Sequence, residues 1–442
     1  QQKNYFQYQK NTVAHNNLLV IDPADLDGPK KLSLSADPGG TDARSTRTFS
    51  APSSFNDVVF VDKNPTANWA DIIKFESHPD YAYLMGDAEE AYGNRLSQYD
   101  RNLVFLREKN DEAYLIIFDR VVATNAAFKK KWLLHTVSEP ILNGKIIGTE
   151  VPGHIETYDG DMMISENYEK TSKLHAKFLL PLNQRVRRVS GEIIHTQGTV
   201  SLDYGSNKVV GTGTNFTTDM VKHYFHIDKD KTSNVPSGYD GYYDWYEIAS
   251  VEDATHLTLK SNYTHTSTLN GLYTINQGYQ FWVDGTNPKN VFVNGAARAT
   301  ATEAATGKVW QHMGQGRIEL MPPDGNKTDY FLVAMYVSDI NSSMPGNVQR
   351  LESLSGDEMY GVLISNKVVM FGKTGLPING FDFDVVHVGE VNFLITDLVP
   401  AQSYVVSKNT NMLSTITASG QGTIYFKDTP GLSGSTYRIQ KQ

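Results

Sequence analysis

Cysteine is absent from the sequence, which excludes disulfides, thiolate nucleophiles, cysteine-ligated zinc and iron–sulfur clusters. Long apolar runs are missing too. The longest, around Ala113 to Phe118, is strand-sized and far short of the roughly 20 residues a membrane-crossing helix needs, so no transmembrane segment is expected. There is no excess of positive charge: 40 Lys+Arg against 49 Asp+Glu leave a formal charge of -9. Without a basic field no nucleic acid partner is expected, and any polyanion has to be held by a local patch. Helical periodicity is scarce, with Ala67 to Phe75 offering one or two turns at most. Several catalytic signatures are missing: the phosphate-binding Gly-rich loop, the dinucleotide fingerprint, the Gly-x-Ser-x-Gly elbow, the His-Glu-x-x-His helix and the EF-hand loop. Paired-carboxylate glycoside hydrolysis has no positional support.

The 442 residues contain 40% apolar side chains, 24 Tyr and 19 Phe, enough for two to four folded units at roughly 100–200 residues each. Short β-branched and aromatic runs separated by Gly, Asn, Asp and Pro predict an all-β protein. Strands are expected at Leu18–Ile21, Asp57–Val61, Leu103–Arg107, Tyr114–Phe118, Lys131–His135, Val291–Val293, Tyr330–Val337, Val391–Thr396 and Thr423–Phe426. Alternation within them suits antiparallel sheets with one wet face. The stretch from Thr199-Val200-Ser201-Leu202 to Tyr273-Thr274-Ile275 has its own texture, while Leu174–Leu182 before it and Phe281–Gly285 after it read alike. The expected organisation is a large antiparallel β-sandwich begun by residues 1–197 and continued by 276–350. A small β module, 198–275, is inserted in one of its loops, and a small β unit, 351–442, ends the chain in antiparallel hairpins. The insert resembles small β modules of phage and bacterial surface proteins, a match that carries no chemistry.

Four segments, in order, carry a family resemblance. They are Ala14-His15-Asn16-Asn17-Leu18-Leu19-Val20-Ile21-Asp22-Pro23; Tyr81-Ala82-Tyr83-Leu84-Met85-Gly86-Asp87-Ala88 with Ala91-Tyr92; Phe118-Asp119-Arg120-Val121 with Lys131-Trp132-Leu133-Leu134-His135-Thr136; and Gly316-Arg317-Ile318-Glu319-Leu320 with Pro322-Pro323 and Asp329 to Val333. Together they resemble the C-terminal β part of the heparinase II/III-like polysaccharide lyases. The resemblance implies a two-part enzyme in which an N-terminal α/α toroid carries most catalytic residues and a β-sandwich closes one side of the cleft. It also implies an acidic, uronate-containing polysaccharide as substrate and β-elimination as the reaction. No helical array for the toroid is legible here, and the chain opens at Gln1 with neither Met nor leader. It is therefore expected to be a processed or partial product, the toroid being a separate fragment or chain, and to work in the periplasm or outside a bacterial cell.

β-Elimination needs groups that exchange protons near neutral pH, commonly His or Tyr. In zinc-containing relatives the His of the Ala-His-Asn segment resembles the third ligand of a His/Asp/His site, so the resemblance implies Zn²⁺ at His15, its other two ligands lying outside this chain. Asn16 is a candidate to orient that loop and contact substrate, with backbone satisfaction as the plain alternative. Tyr5 and Tyr8 fall at the cleft edge if the alignment holds, as acid or sugar platform, or simply as rim aromatics. Lys129, Lys130 and Lys131 with Arg185, Arg187 and Arg188 are candidates for a cationic surface, Lys129 and Arg187 foremost, although charge runs often serve only as solvated faces. His135 is expected inside or at the border of a sheet, Asp119 and Arg120 as a structural ion pair or as hydrogen bonds that stabilise the sandwich, and His223 with His226 as no metal site. Asn-X-Ser/Thr sequons stand at Asn215, Asn262, Asn326 and Asn341. The function that follows is the C-terminal portion of a polysaccharide lyase, inactive alone. The alternative is a non-catalytic carbohydrate-binding or surface and structural β protein.

Overall fold

Alternating residues give each strand two usable faces, and this chain buries both faces of its largest sheet. The computed structural model describes residues 12–23, 70–108, 113–150, 155–167, 169–190, 192–230, 246–278, 316–355 and 358–442. The strands expected at Asp57–Val61 and Val291–Val293, and the Phe281–Gly285 run, lie outside the described residues, as do Tyr5 and Tyr8. Among the described residues there is no α-helix, only three short 3₁₀ turns at Thr12–Ala14, Glu89–Tyr92 and Thr218–Met220. The helical turn expected over Ala67–Phe75 is corrected: Asp71–Ser77 is an edge strand, paired antiparallel with Tyr81–Asp87. Its β-branched Ile72 and Ile73 and aromatic Phe75 favour extended backbone.

Four sheets stack in sequence. The outermost has six strands in the order Leu18–Ile21, Lys129–Thr136, Gly316–Met321, Arg185–Ser190, Ile155–Tyr158 and Ile146–Glu150. Its inner face, with Leu18, Val20, Trp132, Leu134, Ile318 and Leu320, packs on Tyr99, Ile117, Val121, Phe331 and Val333 of an eight-stranded sheet. That sheet runs Asp71–Ser77, Tyr81–Asp87, Leu96–Arg107, Ala113–Ala123, Thr328–Asp339, Ser172–Leu180, Met162–Glu166 and Ile141–Leu142. The opposite side chains of the same strands, Tyr83, Ile116, Phe118, Leu332 and Ala334, pack on Val362, Ile364, Val369, Phe371 and Leu394 of a five-stranded sheet. The five-stranded sheet in turn packs on a four-stranded one through Met370, Phe383, Phe393, Ile395, Tyr404 and Tyr437.

One wet face is thus the wrong description of the central sheet. Its middle strand, Ala113–Ala123, is buried along most of its length because a second unit covers the side a lone sandwich would expose. The expected Asp119–Arg120 pair is corrected for the same reason: adjacent strand residues face opposite ways. Asp119 takes a bidentate contact from Arg101 on the sandwich side, with Nη2 at 2.7 Å, while Arg120 reaches Asp397 of the C-terminal unit. That unit is not built from antiparallel hairpins alone either, since Lys367–Gly372 and Val391–Ile395 pair parallel. A separate eight-stranded sheet is drawn wholly from Glu192–Gly278, around Val200, Val209, Phe225, Ile248, Leu257, Tyr273 and Ile275.

Candidate functional site

The outer face of the six-stranded sheet gathers most of the chemistry-bearing residues. Strand period and register place Lys129, Lys131, Leu133 and His135 of one strand beside Arg317, Glu319 and Met321 of the next and Arg185 and Arg187 of the third. Leu133, Leu19, Ile21 and Val13 form a small apolar cluster at its Leu18–Ile21 edge.

At one end stands the turn that carries His15. It closes through His15 N–H to Thr12 O (3.0 Å) and Asn17 N–H to His15 O (2.9 Å). Side chains from both sandwich sheets hold it. Asn16 Oδ1 accepts the His135 N–H at 2.7 Å, and His135 Nε2 lies 3.0 Å from Val13 O. A carbonyl can only accept, so the neutral ring carries its proton on Nε2. Nδ1 then sits 3.1 Å from Asn16 Oδ1, a contact that becomes a hydrogen bond only on protonation. From the eight-stranded sheet, Arg101 Nη1 donates to Asn16 O at 3.0 Å and the Tyr99 hydroxyl to Asn17 Oδ1 at 3.3 Å, while Tyr92, in the 3₁₀ turn Glu89–Tyr92, donates its hydroxyl to Leu18 O at 2.6 Å and lies 3.2 Å from Asn17 Oδ1. Burial raises the Tyr92 and Tyr99 pKa values well above the ordinary phenol. They stay neutral donors. His135 is half-buried, and burial above all, with Arg317 beside it, holds its pKa at about 3. His15 and Asn16 are exposed on the tip of this clamped turn.

Next along the face, three cations converge on one buried carboxylate. Glu319 Oε2 accepts Lys131 Nζ at 2.9 Å and Arg187 Nη1 at 2.8 Å, and its Oε1 accepts Arg317 Nε at 3.0 Å and Nη2 at 2.7 Å. Burial would raise the Glu319 pKa, but the three cations overcome it and hold it well below the usual carboxylate range. At the far end a cleft of about 170 Å³ is lined by Lys129, Lys130, Lys131, Thr157, Arg185, Arg187, Met321, Pro322 and Asp324.

The structure therefore brings Lys129 and Arg187 to one cleft, with Arg187 in its wall at 3% exposure rather than on an open surface. Arg188 turns to the other face and pairs with Glu156 and Glu139. His223 and His226 are buried within the inserted sheet. Asn16 sits at the opposite end of the face from Lys129, roughly 20 Å away at ~3.3 Å per strand residue. Among the described residues no three His, Cys, Asp or Glu side chains converge to hold a metal ion, so they do not supply a zinc site around His15. Sequence reasoning missed Arg101, Arg317, Glu319 and Asp324. Period two puts 317 with 319 and 185 with 187 on one face each, but pairing across 132 or 188 residues of chain leaves no local signal.

The stacked antiparallel sheets define an all-β sandwich protein with an appended β unit. Residues 353–441, the bulk of that unit, match the heparinase II C-terminal domain family. The chain thus carries a heparinase II/III-like C-terminal part and is related to the polysaccharide lyases. Among solved structures it aligns with a heparinase III with methylated lysines at 7% identity and a TM-score of 0.25, over 81% of this chain and 27% of that one. It also aligns with the glycoside hydrolase domain of Endo-D from Streptococcus pneumoniae R6 at 11% identity and a TM-score of 0.09, over 70% and 34%. Scores this low carry no argument about shared architecture. The chain spans about a quarter of that heparinase III, and no curated protein matches it. No helix among the described residues is long and apolar enough to cross a membrane.

Proposed function

We propose that this chain forms the β wall of a polysaccharide lyase that cleaves uronic-acid-containing polysaccharide by β-elimination, outside the cell or in the periplasm. An α/α toroid on another segment or chain would supply most of the catalytic groups. The observation that carries this reading is the clamped turn: backbone and side chains on either side of His15 are pinned from two sheets, and His15 itself is presented at the tip. Rigid placement of that kind suits a group that must meet a substrate or metal at a fixed distance. Asn16, beside it, would contact substrate, and Tyr5 and Tyr8 would flank the cleft. Zinc enters only if donors outside the described residues join His15. The cationic cleft supports an acidic polymer as partner.

A second reading, carbohydrate binding without catalysis, is favoured by one detail. Both ring nitrogens of His135 face acceptors within the fold, so the half-buried histidine of this face offers no proton exchange to a substrate. The test is ultraviolet absorbance of the unsaturated uronate product over a panel of uronate polysaccharides, for the chain alone and with any co-purifying partner, each with and without chelator. Product that depends on a helical partner and is lost in His15→Ala supports the lyase wall. Polysaccharide bound without product in every combination overturns it in favour of binding.

A further inference from the structure

The strand Gly316–Met321 ends where Pro322 and Pro323 follow, because proline has no N–H to give a ladder. Its neighbour Lys129–Thr136 carries on past that point, while the other neighbour, Arg185–Ser190, begins level with it. Met321 lies opposite Arg185, and the register that pairs Leu320 with Trp132 sets Met321 level with Lys131, so Lys129 extends beyond the end of the central strand. The end of the central strand leaves a notch between the Lys129 and Arg185 ends of its two neighbours, which are two strand spacings apart, roughly 10 Å. This notch is the 170 Å³ cleft. At ~30 Å³ per water in the liquid it has room for a charged substituent and its hydration, not for a length of polymer.

The cations lining it are not equivalent. Lys131 and Arg187 are committed to Glu319, and Lys130 to Asp329 Oδ2 at 2.8 Å and Asn326 O at 2.6 Å. Lys129 is exposed and makes no ion pair with any described residue. Arg185, 45% exposed, meets among the described residues only the exposed Asp324, at a loose 3.4 Å. An arginine fork in that state can exchange a solvated carboxylate for another oxyanion at little cost. From this we infer that the notch is an oxyanion subsite in which Lys129 and Arg185 are the contact groups, Asp324 is the built-in competitor that an incoming carboxylate or sulfate displaces, and Arg187 is wall. The inference rests on the acidic-polymer reading above and refines it.

Fluorescence anisotropy of a labelled polyglucuronate oligosaccharide tests it, with potassium glucuronate and inorganic sulfate as separate competitors to tell a carboxylate from a sulfate preference. Lys129→Gln and Arg185→Gln are each expected to weaken binding at least fivefold. Asp324→Asn is expected to tighten it at least threefold, and Lys208→Gln, on the inserted module, to leave it unchanged. All four positions are solvent-exposed, so thermal melts should stay matched. Unchanged affinity in the first two variants, or no gain in Asp324→Asn, overturns the subsite. The two failures separate: if affinity ignores these substitutions while product formation is lost in His15→Ala, the subsite is wrong and the lyase reading stands. The expected affinity changes without product from any combination would keep the subsite and overturn the lyase reading.

Discussion

His135 does two jobs at the residue scale: it closes the turn that presents His15, and it stays neutral where a histidine on the surface would titrate. Its pKa is held at about 3 against an ordinary 6.5, so between those values the unfolded chain takes up a proton that the native chain refuses. Stability therefore falls as pH falls through that window, by at most ~1.4 kcal/mol per pH unit from this group. His135→Asn loses the bond to Val13 O and is expected to be the less stable protein at pH 7.5. It lacks the titrating ring, however, so the gap between the two urea midpoints should narrow at pH 5. Buried His175 and His226, whose pKa values are also lowered by burial, titrate in both proteins and cancel in the difference. A gap of constant size would sink this assignment. In the same variant, amide exchange at His15 and Asn17 is expected to rise at least tenfold, with exchange at Ile248 in the inserted sheet unchanged. The turn itself was legible, because Ala-His-Asn-Asn before an apolar run reads as a strand entrance. Its clamp was not: Arg101, Tyr92 and Tyr99 lie more than 70 residues away and look like ordinary strand and turn residues.

At the scale of elements, the buried charges between the central sheet and the five-stranded sheet decide how the two units hold together. Asp397 is fully buried and takes Arg120, Lys74 Nζ at 2.7 Å and Gly372 N–H at 3.0 Å. Burial would raise its pKa, but Arg120 and Lys74 outweigh that and hold it below the ordinary value. Its φ of 59° lies in the left-handed region, which Asp and Asn tolerate best, so Asn is the replacement that tests charge without backbone strain. Asp397→Asn should cost about 3–5 kcal/mol, because it strands a guanidinium in the interface. Adding Arg120→Met should recover part of that loss, since the double variant no longer buries a guanidinium without its carboxylate, although Lys74 and Asp100 keep their own losses. Urea midpoints of the two singles and the double form the cycle, and additive losses would refute the pairing. The strand positions of this interface could be read from alternation, whereas its second buried face could not. Ala113–Ala123 is apolar almost throughout, a pattern shared by any fully buried strand, and only the unit stacked on it explains why.

For the whole molecule, the distribution of cores predicts how it comes apart. The sandwich core and the inter-unit core are built from alternate residues of the same strands, Ile117 and Val333 on one side and Ile116 and Leu332 on the other, so neither can melt without the other. Among the described residues the inserted sheet shares no core residue with them. Its ends are also closed on each other: Glu192 pairs with Gly278 and His195 with Ile275, so the excursion leaves and returns at one point. A loop that returns to its origin adds little closure entropy to the host. Calorimetry should therefore resolve two transitions, with the larger belonging to the sandwich and the C-terminal unit together. Excising residues 196–274 and joining His195 to Ile275 through an Asn-Gly turn, which suits antiparallel partners, should remove one transition and leave the other within a few degrees. A single transition in the full chain, or loss of both on excision, would mean that the insert is part of the host's cooperative unit. In that case the change of texture along the sequence near 198 and 275 would mark a change of sheet without a change of folding unit.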